Sequence, residues 1–85
     1  MSHAEGRDSV ASGYASHAGG YGTKATVLGQ TVIGKWNAEV SNTLFIVGNG
    51  ASDTSRSNAF VVDTGGNATI ANTLTAKKNN FSTPK

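Results

Sequence analysis

Ser-His-Ala-Glu-Gly at residues 2–6 returns as Ser-His-Ala-Gly-Gly at residues 16–20, a spacing of fourteen. Written in sevens from Ser2, the chain reads SHAEGRD, SVASGYA, SHAGGYG, TKATVLG and QTVIGKW. The first place holds Ser2, Ser9, Ser16, Thr23 and Gln30. The third holds Ala4, Ala11, Ala18, Ala25 and Val32, and the fifth holds Gly6, Gly13, Gly20, Val27 and Gly34. A repeat at fixed period constrains a fold more than any other local signal.

A period of seven invites a coiled coil, but the constant places carry Ser, Ala and Gly where heptads need large apolar side chains. A Gly in each seven would cost a helix about 1 kcal/mol apiece. The pattern fits a short strand of about five residues followed by a turn. Two such units make one coil of fourteen, stacked in parallel on the next at about 4.8 Å. First, third and fifth residues then point one way, second and fourth the other. Lys24, on the second set, places that face outside, because an unpaired buried Lys is very costly. Val10 and Ile33 pull the other way. The expectation is a thin roll filled by Ala, Ser and Gly, mixed near Val27, Leu28 and Ile33.

The units SHAEG, SVASG and TVIG resemble the S-x-A-x-G head repeats of trimeric autotransporter adhesins of the YadA type, over residues 2–36. The resemblance implies a left-handed parallel β-roll of fourteen-residue coils, assembled as a homotrimer. Val27 and Val32 depart from the motif, which fits an array approaching its cap.

The sevenfold phase is expected to stop at Trp36, which would cover the last coil. At most one turn of helix is expected at residues 37–41. The apolar run 44–47, closed by Gly48-Asn49-Gly50, reads as a buried strand. Residues 51–57 read as a polar loop. Residues 59–63 and 68–74 read as hairpin arms around Thr64-Gly65-Gly66-Asn67. Residues 77–85 read as a tail or the start of a further domain. The organisation expected is therefore repeats at 1–36, a strand and hairpin trimerisation module at 37–76, and the tail. Met1 enters in mid-repeat, which points to a segment of a longer protein. Residues 44–74 also resemble the segment that follows YadA-like repeats in tail fibres and neck appendages of phages and prophages of Gram-positive hosts. In several of those it leads to a self-cleaving chaperone domain.

Large apolar side chains are scarce in the first half, and the apolar fraction is 36%, below the usual ~45–50%. The second half holds Leu44, Ile46, Phe60, Val62, Ile70 and Leu74, which are assigned to a trimer interface. With both sides of the 44–47 strand apolar, one side is expected to meet another chain. There are no cysteines, and the net charge of +2 comes from scattered residues, apart from Lys77 and Lys78. No basic stripe fit for nucleic acid and no membrane span is present.

His3 and His17 occupy the same place fourteen residues apart and are candidate metal ligands, with Glu5 on the same face. The preferred reading is a surface ladder, with no resident metal and no cofactor. No nucleophile elbow or phosphate loop appears, so no enzymatic activity is expected. Asp53 and Arg56 are expected to pair. Tyr14 and Tyr21 are read as packing across turns rather than as a sugar platform. Asn67-Ala68-Thr69 and Asn80-Phe81-Ser82 match the glycan acceptor pattern. The functional expectation is a structural, adhesive segment of a trimeric phage tail fibre or appendage, in the virion, projecting a tip toward a host cell-surface glycan or protein. The alternative is a bacterial adhesin head at the cell surface, binding host matrix or glycans.

Overall fold

In the computed structural model, which describes residues 1–75, eight strands follow one another without a helix. They are β1 (His3–Ala4), β2 (Val10–Ala11), β3 (His17–Ala18), β4 (Lys24–Ala25), β5 (Thr31–Lys35), β6 (Thr43–Asn49), β7 (Asn58–Asp63) and β8 (Ala68–Ile70). The first five fall on the five S-x-A-x-G units. Alternate strands pair in parallel. One sheet runs β1-β3-β5-β6-β7-β8, and β2-β4 form a second.

The fourteen-residue step is kept in every parallel pair. His3 lies opposite His17, His17 opposite Thr31, and Thr31 opposite Phe45. In the second sheet Val10 lies opposite Lys24. Single bridges from Arg7 to Tyr21 and from Tyr21 to Lys35 form a third ladder at the same step. Backbone angles repeat with it: φ is 91° at Gly6, 109° at Gly20 and 93° at Gly34. A Cβ on Gly20 would collide with the carbonyl oxygen of Gly34, so both the φ and the closeness of successive steps require glycine there.

The first place of each seven explains itself in hydrogen bonds. Ser9 Oγ donates to the Glu5 carbonyl (2.7 Å), Ser16 Oγ to that of Gly13 (2.6 Å), and Thr23 Oγ1 to that of Gly19 (3.1 Å). Each hydroxyl fastens the turn that precedes it, a local side-chain-to-backbone bond of the kind Ser and Thr make well. Gln30 does the same work with a longer arm. Its Oε1 accepts from the Thr26 and Val27 N–H groups, and its Nε2 donates to Thr43 Oγ1 at 2.7 Å.

The third place is the interior. Ala18, Ala25, Val32 and Ile46 are fully buried, with Ala11 and Val61 packed on them. The interior is thin where both sheets are present, hence Ala. It widens where β2-β4 ends, and there Val32 and Ile46 fill it. The second-place side chains His3 and Val10 and the fourth-place Thr26 lie outside, as Lys24 required, and Val27 is half-buried while Leu28 and Ile33 are exposed.

Three expectations are corrected. The step does not stop at Trp36: β6 adds another parallel strand to β5, with Ile46 in the third place and Gly48 in the fifth. Trp36 does not cover the last step. It sits with φ 43° one step beyond Gly22, its ring lying where a Gly22 Cβ would go. The second hairpin arm ends at Ile70, and Leu74 lies beyond any strand. Residues 37–41 hold no helical turn. The tail 77–85, with Lys77, Lys78 and the Asn80 acceptor site, lies outside the described residues, as does residue 76.

Candidate functional site

The parallel register of β1 on β3 stacks the two imidazoles, with ring centroids 4.7 Å apart and planes 2° from parallel. Strand alternation puts Glu5 on the same side. Its Oε1 lies 3.4 Å from His3 Nε2 and 3.7 Å from His17 Nε2. One donor atom from each of the three residues falls within 4.8 Å of the others. His3 and Glu5 are exposed and His17 is half-buried. Beside them Glu5, His17, Gly19, Gly20, Ile33 and Gly34 line an open hollow. Its floor is glycine because the fifth place must be, and because Gly19 leaves a side chain out one step beyond Glu5.

A second cluster lies at the Tyr21–Trp36 corner. The Arg7 guanidinium stands 5.3 Å over the Tyr21 ring, Tyr21 lies 4.9 Å from Trp36, and Arg56 stands 5.1 Å over Trp36. Arg56 is the hub. Its side chain is only 15% exposed, and it donates to the carbonyls of Gly22 (2.9 Å) and Asn37 (3.1 Å) and to Asp53 Oδ1 (2.7 Å). The expected Asp53–Arg56 pair is thus made within one chain. The hydrogen bond and charge of Arg56 hold the Asp53 carboxyl below its ordinary range. Tyr21 packs as expected, whereas Tyr14 is 74% exposed.

The residues assigned to a trimer interface fall into two groups. Ile46 is fully buried in its own chain, in the interior cluster with Ala18, Ala25 and Val32. On the opposite face of the same sheet, Phe45 pairs with Val62, and Val47 with Phe60, which pairs in turn with Ile70. Phe45 and Phe60 meet edge to face at 6.0 Å. Phe60 and Val62 remain half-buried, while Leu44 and Leu74 are 42% and 61% exposed. The 44–47 strand therefore satisfies one of its apolar sides within the chain.

Sequence reasoning placed the two histidines and Glu5 together, and the register confirms that placement. It missed two amides that bond to backbone, one buried and one half-buried. Asn37, fully buried, accepts from the Lys24 N–H (2.7 Å) and donates to the Lys24 carbonyl (3.0 Å). Asn58 does likewise to Ala38, at 2.8 and 3.0 Å. The in-phase Gly48 was the available signal that the ladder goes on past Trp36. Among the described residues no helix is long and apolar enough to cross a membrane. Comparison with protein-family models, curated proteins and solved structures finds no match to this chain.

Proposed function

We propose that this chain is a structural and adhesive segment of a homotrimeric phage or prophage tail fibre or appendage. In this reading the fourteen-residue steps are coils of a left-handed β-roll, and the work is mechanical: a stiff spacer carrying a receptor-binding tip. The observation that carries it is the unbroken register His3, His17, Thr31, Phe45. A chain so built extends by repetition along one axis, and its described dimensions are 42 × 26 × 18 Å. The resemblance of the repeats to YadA-type heads, and of residues 44–74 to phage appendages, supplies the trimer and the virion. The outer face of β6, β7 and β8 supplies apolar surface for it through Phe60, Val62 and Ile70, and Leu44 and Leu74 are exposed as well. Association of three chains would remove that apolar face from water.

Sedimentation equilibrium tests the reading. A trimer is expected, with folding and association inseparable. Replacing Phe60 and Ile70 by Asp, both on the outer face, is expected to give unfolded or aggregated chains. A stable, folded monomer of 8.6 kDa from the unmodified chain would overturn the fibre assignment.

A further inference from the structure

We propose that His3, Glu5 and His17 form a binding site for a transition-metal dication of the zinc class, one ion per chain, with an open coordination position facing the hollow over Gly19 and Gly20. The distances carry this. The two imidazole nitrogens approach a single carboxylate oxygen at 3.4 and 3.7 Å. Those separations are long for hydrogen bonds, which run to about 3.2 Å. They match the edge of a tetrahedron whose metal–ligand bonds are about 2.0–2.1 Å, which is about 3.4 Å. The third edge, between the two imidazoles, is within 4.8 Å. The two rings stand 2° from parallel, so their lone pairs do not converge as they are; both lie on the outer face, and binding an ion requires them to turn out of the stack toward Glu5.

Two further features fit an ion. The two histidines stand opposite each other on paired strands, so the ladder fixes the spacing of their backbones before any ligand arrives. Gly19 stands one fourteen-residue step beyond Glu5, and a Cβ there would lie 3.5 Å from His17 Nε2 and 3.7 Å from Glu5 Cγ. A larger side chain would fill the space that an ion and its fourth ligand need. Gly19 has no positive φ, so its backbone does not demand glycine. Two imidazoles and one carboxylate are borderline nitrogen and oxygen donors, suited to Zn²⁺, Ni²⁺ or Cu²⁺ rather than to the all-oxygen shells of Ca²⁺ and Mg²⁺. The chain has only two histidines and no cysteine, so every strong donor for such an ion is in this cluster.

The test uses the full chain, stripped with chelator and titrated with ZnCl₂ by calorimetry and by thermal unfolding. One Zn²⁺ per chain is expected, with a Tm that climbs with zinc concentration, because an ion that binds only the folded state stabilises it by mass action. CaCl₂ should not move Tm. His3→Asn and His17→Asn should each weaken zinc binding at least ~10-fold, and Glu5→Gln should also weaken it. Gly19→Val keeps all three donors and should weaken binding by closing the hollow; its β circular dichroism is recorded alongside. If Gly19→Val fails to fold, Glu5→Gln decides. Zinc binding unchanged by Glu5→Gln, fewer than one ion per chain, or a Tm indifferent to zinc would each overturn the site.

Discussion

The two parallel stacks start alike and end differently. In the six-stranded sheet the third place reads Ala4, Ala18, Val32, Ile46 and the fifth reads Gly6, Gly20, Gly34, Gly48. Each strand offers its backbone to the next, and the sheet continues into β6 and the hairpin. In the second stack the series is Ala11 and Ala25, and the next position is Glu39, which is exposed. No third strand forms. The edge of β4 is met instead by the side chain of Asn37, whose amide offers one donor and one acceptor to Lys24 as a strand would. A parallel ladder thus ends without a bare edge when one buried amide stands in for a backbone, and unpaired edges are a liability that proteins manage. The stack that continues depends on closeness between steps; the stack that stops depends on one side chain.

The largest effect is expected where closeness is tightest. Gly20→Ala would drive its methyl into the Gly34 carbonyl and hold a left-handed φ with a Cβ. Overpacking of about 1–3 kcal/mol and roughly 1–2 kcal/mol for the backbone together take a large part of an ordinary domain's stability. Gly29→Ala is the control, since its φ is 70° but a Cβ there meets nothing within 4 Å. It should cost only the backbone part, about 1–2 kcal/mol. Urea unfolding of both variants checks this. Equal losses would show that backbone angle, not the spacing of steps, limits the ladder.

Asn37 tests the other stack. Asn37→Leu leaves the Lys24 N–H and carbonyl without their side-chain partners, at about 1–3 kcal/mol for two part-buried backbone groups. Asn37→Asp adds a pH signature. The carboxylate still accepts from the Lys24 N–H but turns an oxygen toward the Lys24 carbonyl. Protonation restores a donor, so the folded state favours the protonated form and the folded pKa should lie above the unfolded value near ~3.9. Stability relative to the parent should then be lowest at neutral pH and recover as pH falls through the folded pKa. Unfolding midpoints measured from neutral to acid pH decide it, and a deficit independent of pH would count against the amide's donor role.

What could be read beforehand follows the same division. Ser, Ala and Gly at the first, third and fifth places were legible because repetition exposes them, and they located five strands and the interior. Glu5 was legible beside His3 and His17 because strand alternation alone puts it on their face. The continuation into β6 was hidden by residues 37–43, which carry Glu39 and Ser41 where the motif wants Ala and Gly, so the count appeared to end at Trp36. Asn37 and Asn58 carried no signal: an amide becomes a backbone substitute only through what it faces. Arg56 was read as half of an ion pair, and its bonds to Gly22 and Asn37, 34 and 19 residues away, depend on tertiary placement.

Arg56 joins the stacks' common end, and a smaller loss is expected there than at Asn37. Arg56→Lys keeps the charge but gives up the planar fork that reaches two carbonyls and Asp53 at once, along with stacking over Trp36. About 1–2 kcal/mol is expected, read by thermal unfolding. Asp53→Asn should do less, because that carboxylate is solvent-facing and such pairs contribute little. An Asp53→Asn variant weaker than Arg56→Lys would mean that the ion pair, not the carbonyl bonds, fastens the loop.

The smallest effect is expected at the hairpin turn, where a side chain again replaces backbone but water competes. Asp63 Oδ1 accepts from the N–H groups of Gly65 and Asn67, both at 2.9 Å, and the Asn67 side-chain amide adds bonds to both carboxylate oxygens. The Asn67 N–H and then its side chain lower the Asp63 pKa from the ordinary 3.8. A folded pKa below the unfolded one means the contribution is complete above the unfolded value and lost as pH falls through the folded value. Asp63→Asn should therefore lower the unfolding midpoint slightly at neutral pH and converge on the parent as pH falls through the folded Asp63 pKa, below the ordinary 3.8. Asp53 titrates in the same direction through Arg56, so the comparison is made in an Asp53→Asn background, which removes that contribution. A parent-to-variant gap that persists unchanged in acid would show that Asp63 holds the turn by shape, not by its charge.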